Sequence, residues 1–468
     1  VHANEQQRYP VRPDRQPGPE DLWFLPLGGT GEIGMNLNLY GHDGRWLMVD
    51  LGVTFARGDQ PGPDVQMADP AYIAARRGRL EGIVITHAHE DHVGAVPYVW
   101  SRLRCPIYTT RFTATVLERK LVEAGLAGRV PINVVEPGAR RRIGPFEVHW
   151  VPLTHSIPES FALTIGTRAG MVFHTADWKL DARPVIGAPY PEARYRALAR
   201  DAVDAMVCDS TNALTTGGPT FEGDLYPNLR RHIEAATGRV LVACFGSNVA
   251  RLDAIARLAG DTGRYFGAMG RSMLNMLHAA RTAGIWGSDR PVPAAPRELG
   301  FLPPSEVLAA ATGSQGEPRT ALDRLSRAQH PDMELESGDT VIFSSRVIPG
   351  NEAPVARLVA RLERLGVHVV TDADADAPIH ASGHPTREEL EAMYGWVRPA
   401  LAIPVHGEGQ HLDANAEVAR RAGVRHTLVG RNGDLFRIRP RPGIERGFTR
   451  VGRVGSESGQ LVPVEVTE

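Results

Sequence analysis

The stretch of sequence that decides the fold is HAHEDH, at residues 87–92. It follows EGIVIT at 81–86, whose β-branched run predicts a buried strand, and a helix is expected to begin near His92. The stretch therefore forms the turn between a strand and a helix, and it holds four candidate metal ligands in six residues. Imidazole nitrogens and carboxylates are suitable ligands for Zn²⁺ or Mn²⁺. A polar loop whose histidines cap the helix is the plainer alternative, but this spacing favours a metal-binding loop.

The composition of the chain limits the class of protein. At ~150 residues per domain, its 468 residues suggest two or three domains. Hydrophobic residues make up 42% and charged residues 23%, which excludes a wholly disordered chain, a collagen-like repeat and a coiled coil. Because the net charge is -2, a polyanion would have to bind at a local patch.

Cysteine usage and hydropathy bear on the cellular compartment. No apolar run approaches the ~18 residues that a bilayer requires, so no membrane partner is expected. Cys105, Cys208 and Cys244 are too few and too scattered for a disulfide framework. Since such a framework is typical of oxidising compartments, we expect a cytoplasmic protein.

The pattern of strands and helices changes along the chain and predicts two folded units. Residues 1–20 are polar, Pro-rich and aperiodic, and they are expected to form a disordered lead. Between 21 and 212, short strands end in polar residues, which is typical of an antiparallel-rich or sandwich-type region. Between 213 and 372, apolar strands alternate with Gly/Ser turns and amphipathic helices, which predicts a doubly wound parallel sheet. Strands return at 373–440, and 441–468 is expected to be a linker.

Residues 29–34 match the dinucleotide-binding pattern GxGxxG, with Asp50 at a plausible acidic position. That fold requires a helix immediately after the glycines. Residues 35–39 instead alternate between apolar and polar side chains, which is the period of a strand. We therefore expect tight-turn glycines in a hairpin, and no dinucleotide partner.

The HxHxDH loop resembles the signature of the metallo-β-lactamase superfamily, and other residues continue the resemblance. Asp50 resembles the buried acid that supports the metal loop in that superfamily. His155 resembles its third histidine, and Asp177 resembles the carboxylate that bridges two metals. A single His or Asp at a strand end is more often structural, so the resemblance depends on the order of the whole set.

Later motifs resemble the β-CASP nucleases and, within them, the ribonuclease J family, from about residue 22 to 440. CDSTN at 208–212 resembles motif A, HASGH at 380–384 resembles motif B, and PVHGE at 404–408 resembles motif C. The departures are modest: the family usually has Ala where Gly246 stands and Gly where Ala176 stands.

The resemblance implies an α/β fold, a metallo-β-lactamase αββα sandwich with an inserted, doubly wound β-CASP domain. The sandwich would occupy 21–212 and 373–440, and the β-CASP domain 213–372. We expect no counterpart of the family's small C-terminal domain, which is associated with dimerisation, so 441–468 would lead towards an absent domain. The implied assemblies are a homodimer or tetramer and an RNA-degrading complex.

The resemblance also implies two metal sites. The candidate His and Asp ligands outnumber the four that one tetrahedral zinc ion needs. Two metal ions that share Asp177 are therefore the economical interpretation. We expect two Zn²⁺ ions per chain, with Mn²⁺ or Mg²⁺ as alternatives. Two metals ~3.5–4 Å apart can activate a water and clamp the attacking and leaving oxygens of a phosphodiester. The first site would comprise His87, His89, His155 and Asp177, and the second Asp91, His92, Asp177 and His406.

The remaining expectations concern catalysis and the substrate. His384 would donate a proton to the leaving oxygen or stabilise developing charge, with Asp209 as its support and Asp91 in the same catalytic group. The family implies 5′→3′ exonuclease action on single-stranded RNA with a 5′-monophosphate end, together with endonuclease cleavage, in RNA maturation and decay.

Several loops could bind the phosphates of the RNA. Ser247 and Asn248 follow a strand and open a helix, so their N–H groups and side chains can point at an anion, and Arg271 could add a bidentate contact. Ser247 and Asn248 could equally be an ordinary helix cap. The turn that holds a further phosphate would comprise His380, Ala381, Ser382, Gly383 and His384.

Two other functions remain open on the sequence alone. A small-molecule hydrolase, such as a thioesterase or lactamase, would use the same metals but needs neither the βαβ insertion nor motif B. A non-catalytic RNA-binding scaffold would be expected to have lost metal ligands, and all of them are present. DNA also remains open as a substrate.

Overall fold

Within the part of the chain that the structure describes, the strands form four sheets. The structure, a computed structural model, describes residues 15–56, 62–348, 350–457 and 459–464. In chain order, the strands are β1 Leu22–Gly28, β2 Leu37–His42, β3 Arg45–Val49, β4 Val53–Phe55, β5 Val65–Ala68, β6 Leu80–Val84, β7 Ile107–Thr109, β8 Ile132–Val134, β9 Arg140–Ile143, β10 Phe146–Pro152, β11 Phe161–Gly166, β12 Met171–His174, β13 Ala205–Asp209, β14 Val240–Ala243, β15 Tyr265–Met269, β16 Val307–Ala311, β17 Thr340–Phe343, β18 His368–Val370, β19 Leu401–Val405, β20 His426–Thr427, β21 Leu435–Arg439, β22 Gly443–Glu445, β23 Arg453–Glu457 and β24 Gln460–Val464. The helices are α1 Ala71–Ala74, α2 Glu90–Val93, α3 Val96–Leu103, α4 Arg111–Glu123, α5 Glu192–Leu198, α6 Leu225–Ala235, α7 Val249–Asp261, α8 Arg271–Thr282, α9 Pro296–Leu299, α10 Ala321–Leu325, α11 Glu352–Arg364, α12 Arg387–Val397 and α13 Gly409–Arg421.

Two large sheets pack face to face and form a sandwich. One has the strand order β22-β21-β1-β2-β3-β6-β7-β8 and the other has the order β20-β19-β13-β12-β11-β10-β9. Inward side chains of both sheets, such as Phe24 and Trp150, form one buried core between them. Helices cover the outer faces: Val96 of α3 packs on the first sheet, and Tyr394 of α12 packs on the second. This is the predicted αββα sandwich.

The glycine-rich turn at 29–34 joins two strands. The alternating segment after it forms β2, which pairs antiparallel with β1, so the prediction of a strand in place of a helix is confirmed. Gly29 has a φ of +86°, a backbone conformation that favours glycine. Its carbonyl oxygen accepts a hydrogen bond from the backbone N–H of His406 at 2.6 Å. The turn therefore helps to position a predicted metal ligand.

The inserted domain is built on a sheet of five parallel strands in the order β15-β16-β14-β17-β18. Alternate residues of its central strand face opposite helical layers. Val240 and Val242 pack with the layer that includes α7, and Leu241 and Ala243 pack with the layer that includes α10. Helices on both faces make this the predicted doubly wound domain.

The insertion leaves and re-enters the sandwich through two adjacent strands. β13 ends at Asp209, and β19 pairs with it in parallel, with Val405 beside Asp209. Because both strands point the same way, the residues that follow them emerge at the same edge of the sheet. His406, which follows β19, is thereby brought to Asp209 from a distant part of the sequence.

The two ends of the chain differ from expectation where the structure describes them. Residues 1–14 of the expected disordered lead lie outside the described residues, but Arg15 pairs with Glu445 at 2.8 Å. The expected linker at 441–468 instead contains β22, which extends the first sheet, and a β23–β24 hairpin that pairs with β5. Backbone pairing joins these strands to existing ones, and Val454, Leu461 and Ile444 also pack against the cores of the sandwich.

The cysteines lie in separate buried places. Cys105, Cys208 and Cys244 are free thiols. Burial raises the pKa of each to about 12, so none ionises at neutral pH.

In the described ranges, no helix has the length and apolar character needed to cross a membrane.

A buried ion cluster joins the two domains. Arg251 of α7 is fully buried, and its guanidinium donates to Glu222 at 3.1 Å and to the carbonyl oxygen of Ser344 at 2.9 Å. Lys179, from the sandwich, lies 3.9 Å from the same glutamate. A third bond runs from Arg251 to the carbonyl oxygen of Ile379 at 3.3 Å, directly before motif B. The cluster therefore ties the insertion to the segment that carries motif B.

Replacement of Arg251 tests this cluster. Arg251→Met should destabilise the fold by ~3–5 kcal/mol, because it leaves the buried Glu222 without its main partner. The double variant Arg251→Met with Glu222→Gln should recover part of that loss, as measured by urea unfolding. The control Arg231→Met breaks an exposed pair with Asp376 and should cost less than ~1 kcal/mol. Equal stability of the single and double variants would contradict this account.

Candidate active site

The ends of several strands converge at one edge of the sandwich and carry the predicted ligands. His87 and His89 lie in the loop after β6, and Asp91 and His92 are the second and third residues of α2. The others follow strands of the second sheet: His155 after β10, Asp177 after β12, and His406 after β19, while Asp209 ends β13. The sandwich thus brings together residues that lie as much as 319 positions apart, from 87 to 406.

A first group comprises the four residues predicted for one metal site. The Nδ1 atom of His89 lies 3.1 Å from the Nε2 atoms of both His87 and His155. An Oδ2 atom of Asp177 lies 4.0 Å from His87 Nε2 and 3.9 Å from His155 Nε2. One ligand atom from each of the four side chains lies within 4.8 Å of the others, which suits a single metal ion.

A second group contains the residues predicted for the other site, and it shares Asp177 with the first. His92 Nε2 lies 3.2 Å from Asp177 Oδ2 and 3.5 Å from Asp91 Oδ2. His406 Nε2 lies 3.1 Å from the same oxygen of Asp91. These four side chains also present ligand atoms within 4.8 Å of one another. Asp177 therefore faces both groups.

Hydrogen bonds to the outer ring nitrogens orient the histidines. In four of them Nδ1 has such a partner, which leaves Nε2 directed at the group, an arrangement typical of metal-binding histidines. The pairs are His87 with Thr86 Oγ1 at 3.0 Å, His92 with Asp50 Oδ2 at 2.7 Å, His155 with the Gly383 carbonyl oxygen at 2.5 Å, and His406 with Thr211 Oγ1 at 2.8 Å.

Asp50 lies under the loop at 87–92, where it was expected to give support. It is fully buried and accepts hydrogen bonds from the backbone N–H of Thr86 at 2.8 Å and from its hydroxyl at 2.9 Å. Its other contact is His92. One carboxylate therefore holds both the start of the loop and one predicted ligand.

The protonation of the first group fits a divalent metal. Burial lowers the pKa of His87 and His155 well below the usual range, and it lowers the pKa of His89 to about 4. These three imidazoles are therefore neutral at physiological pH, with lone pairs free to coordinate. Neutral imidazoles packed around the ionised Asp177 form a donor set that suits Zn²⁺ or Mn²⁺.

His384 lies beside the metal groups and contacts a buried acid. Its Nδ1 is 2.8 Å from Asp209 Oδ2 and 3.9 Å from Asp177 Oδ2. Burial alone would lower the pKa of His384, but the carboxylates of Asp209 and Asp177 together raise it above its usual value. Its side chain is 23% exposed, whereas those of His87, His92, His155 and His406 are at most 4% exposed. A protonated, accessible imidazole suits a proton donor. His384, Asp177, Asp209 and His406 also form a third group that could hold a metal.

The motif B turn packs against this histidine and against the metal groups. Asn212 Nδ2 donates to Ser382 Oγ at 2.7 Å and to the His384 carbonyl oxygen at 3.2 Å. Gly383 lies so close to His155 that a Cβ there would be 2.8 Å from the ring. Ala381 is buried, and His380 Nδ1 is buried without a hydrogen-bond partner among the described residues.

The loops expected to bind phosphate have different surroundings. Asn248 is buried and its side chain accepts a hydrogen bond from the backbone N–H of Arg251, so it caps α7. The helix-cap alternative thus describes the Asn248 side chain. Ser247 is partly exposed beside it. Arg271 begins α8 and lines a cavity together with Gly246.

Some residues that build the site were missed in the sequence. Asn36 Nδ2 donates to the backbone carbonyl of Asp91 at 3.0 Å and lies 3.2 Å from His92 Nε2. A Cβ on Gly52 would lie 1.7 Å from the same carbonyl oxygen, so only glycine fits under the loop. Thr86 and Thr211 orient two of the histidines. A hydroxyl directly before the HxHxDH loop was a usable signal for Thr86, and the others depend on packing.

Three family models match the chain in order. They are the "Metallo-beta-lactamase superfamily" over 34–177, "Ribonuclease J, beta-CASP domain" over 237–362, and "Zn-dependent metallo-hydrolase RNA specificity domain" over 377–429. They follow the sandwich, the insertion and the return segment that the structure describes.

Relatives match over most of the chain. Ribonuclease J of Sinorhizobium meliloti is 44% identical over 428 residues, covering 90% of this chain and 75% of the relative. Ribonuclease J of Mycolicibacterium smegmatis is 40% identical over 407 residues, covering 87% and 72%. A crystal structure of a protein of unknown function from Enterococcus faecalis V583 shares the fold, with a TM-score of 0.61 at 14% identity, over 89% of this chain and 100% of that one. The identity to these relatives and the order of the three matches establish that the chain belongs to the ribonuclease J family.

Proposed function

We propose that the chain is a metal-dependent ribonuclease that hydrolyses phosphodiesters of single-stranded RNA. The observation that carries the proposal is the shared position of Asp177, which belongs to both of the groups predicted as metal sites. Its relatives at 44% and 40% identity are ribonucleases, and residues 377–429 match an RNA specificity domain. The site lies where the inserted domain meets the sandwich, so a long strand could enter between them.

Two divalent ions are proposed, one in each group. Zn²⁺ is favoured by the imidazole-rich donor set, with Mn²⁺ or Mg²⁺ as alternatives. Such a pair supplies an activated water and positive charge at the reacting phosphate oxygens when bound. The chain itself supplies the orientation, since Thr86, Asp50, Gly383 and Thr211 fix the rings that face the ions.

His384 is proposed to protonate the leaving oxygen, with Asp209 holding its ring. The bond to Asp209 at 2.8 Å occupies Nδ1 and leaves Nε2 as the nitrogen that can meet the substrate. Asp209 also accepts a hydrogen bond from Thr211 at 2.7 Å, and Thr211 contacts His406. The acid and a proposed metal ligand are therefore oriented by one carboxylate.

The polarity of degradation along the RNA strand is also proposed, from the properties of the family. We expect 5′→3′ exonuclease action with preference for a 5′-monophosphate, together with endonuclease cleavage. The motif B turn, which contacts His155 through Gly383, and the partly exposed Ser247 could hold the terminal phosphate. A cytoplasmic location and a homodimer or tetramer within an RNA-degrading complex belong to the same proposal.

A small-molecule hydrolase is the main alternative activity. The presence of the β-CASP domain disfavours this alternative, because a lactamase or thioesterase needs no inserted domain beside its metal site. A scaffold without catalysis is disfavoured because the residues of both proposed metal sites, and His384, are present and face one another.

His384→Ala tests the proposed acid. Loss of a general acid should reduce kcat by ~10²–10⁴-fold while the metal content stays unchanged. His278→Ala, an exposed histidine on α8, serves as the matched control and should have no effect. Metal analysis should accompany the rates, because loss of metal in His384→Ala would make this residue a ligand.

Substrate choice tests the function itself. The chain should degrade 5′-monophosphate RNA faster than 5′-triphosphate or 5′-hydroxyl RNA, and a chelator should abolish all cleavage. Single-stranded DNA and a β-lactam should be assayed beside them. Hydrolysis of the β-lactam without cleavage of any RNA would overturn the proposal, and RNA cleavage without preference for the 5′ end would remove the exonuclease part.

A further inference from the structure

A cavity of about 280 Å³ opens at the carboxyl edge of the β-CASP sheet, away from both metal groups. Its walls come from the loops that follow three strands: β14, β15 and β16. α7, after β14, packs on one face of the sheet, while α10, after the neighbouring β16, packs on the other. Loops that leave in opposite directions create a crevice between them, which is where open α/β sheets usually bind ligands.

Hydrogen-bond donors predominate in the cavity wall. Arg271 makes no ion pair within the described residues, and the nearest acid to the Arg319 guanidinium is Asp64, at 4.0 Å. Ser314 is only 2% exposed, and neither its hydroxyl nor its backbone N–H finds a partner in the described part of the chain. The one acid in the wall, Glu317, already accepts a hydrogen bond from the backbone N–H of Gln315 at 3.0 Å. A wall of this kind suits an anion.

Glycines keep the wall of the cavity open. A Cβ on Gly246 would lie 2.5 Å from Ser272 Oγ, and one on Gly313 would lie 2.4 Å from Thr320 Oγ1. Gly313 also has a φ of +111°, which disfavours any other residue. The hydroxyls of Ser272 and Thr320 therefore lie directly against the backbone of these two glycines. Glycines often occur where a ligand approaches the main chain closely.

The sheet edge that forms the cavity also contacts the segment next to motif B. At the same edge of the sheet, Ser344 Oγ donates to the carbonyl oxygen of Ile379 at 2.5 Å, next to motif B. β15 lies two strand spacings from β14, which is ~10 Å along this edge. Arg319 faces Asp64 of the sandwich across the cleft. A strand that passes the metal groups could therefore reach the cavity.

We propose that this cavity, whose anion-binding residues are Arg271, Ser314 and Arg319, binds an internal phosphodiester of the RNA strand. The inference rests on the proposed function, because it assigns a second contact to the same substrate. The volume lies just below the ~300–1,000 Å³ that is usual for ligand cavities, so it suits one nucleotide unit of a strand and excludes a folded partner. In this proposal Arg271 binds an internal phosphate of the RNA backbone and not the 5′-terminal phosphate.

Binding measurements with two RNAs test the subsite. The probes are cleavage-resistant phosphorothioate single strands of one sequence, with either a 5′-monophosphate or a 5′-hydroxyl end. Arg271→Gln and Arg319→Gln should each weaken Kd ~10-fold for both RNAs alike. Each should also lower the salt dependence of log Kd by ~0.7, the value for one lost phosphate contact on a single strand. Ser314→Ala should weaken both RNAs in the same ratio.

Arg281→Gln is the matched control, because Arg281 is exposed near the opposite end of α8. It should leave both affinities unchanged, and thermal unfolding should verify that all variants fold. Weaker binding of the 5′-monophosphate RNA alone would overturn the inference in favour of a terminal-phosphate pocket, and unchanged binding would overturn it outright. If the unaltered chain binds the phosphorothioate RNAs but fails to cleave unmodified RNA, the proposed function is refuted. The Kd values of the variants would still test the subsite.

Discussion

The carboxylate of Asp177 is the group on which the rest of the site depends, because it is buried and faces histidines from four separate segments of the chain. Burial alone would raise its pKa, but His406 and His92 hold the pKa well below its usual range, so it stays ionised. A buried anion persists only where positive charge or hydrogen bonds compensate it. Metal ions bound in the two groups would provide that compensation directly, and the surrounding bonds to Asp50, Thr86 and Thr211 orient the rings for it.

The position of the inserted domain explains how distant motifs reach this carboxylate. The chain leaves the sandwich at the end of β13 and returns as the adjacent parallel strand β19, so Asp209 and His406 share one edge. The buried Arg251 then links the insertion to the segment before motif B, and Asn212 holds the motif B turn. The segment that carries His384 to Asp209 is thus held by one bond from the insertion and one from the sandwich. The architecture makes the proposed acid dependent on correct docking of the insertion.

Much of the fold and site could be predicted from the sequence, for reasons that differ between residues. The loop at 87–92 was recognisable because its ligands are contiguous, and the doubly wound domain because its apolar strands and amphipathic helices alternate. His155, Asp177 and His406 are single residues, so only their order in a family pattern indicated them. Asn36 and Gly52 were missed because their roles arise from packing against the loop. The strands within 443–464 were not predicted because they are short and their positions depend on pairing with strands far away in the sequence.

The central claim is that two ions share Asp177, and counting metal in the active protein tests it most directly. Metal analysis of active, purified chain, combined with anomalous diffraction at the metal edge, should find two ions per chain, one in each group. Asp177→Asn should lower the occupancy of at least one of them, because the shared ligand loses its charge. One ion or none in fully active protein would contradict the account.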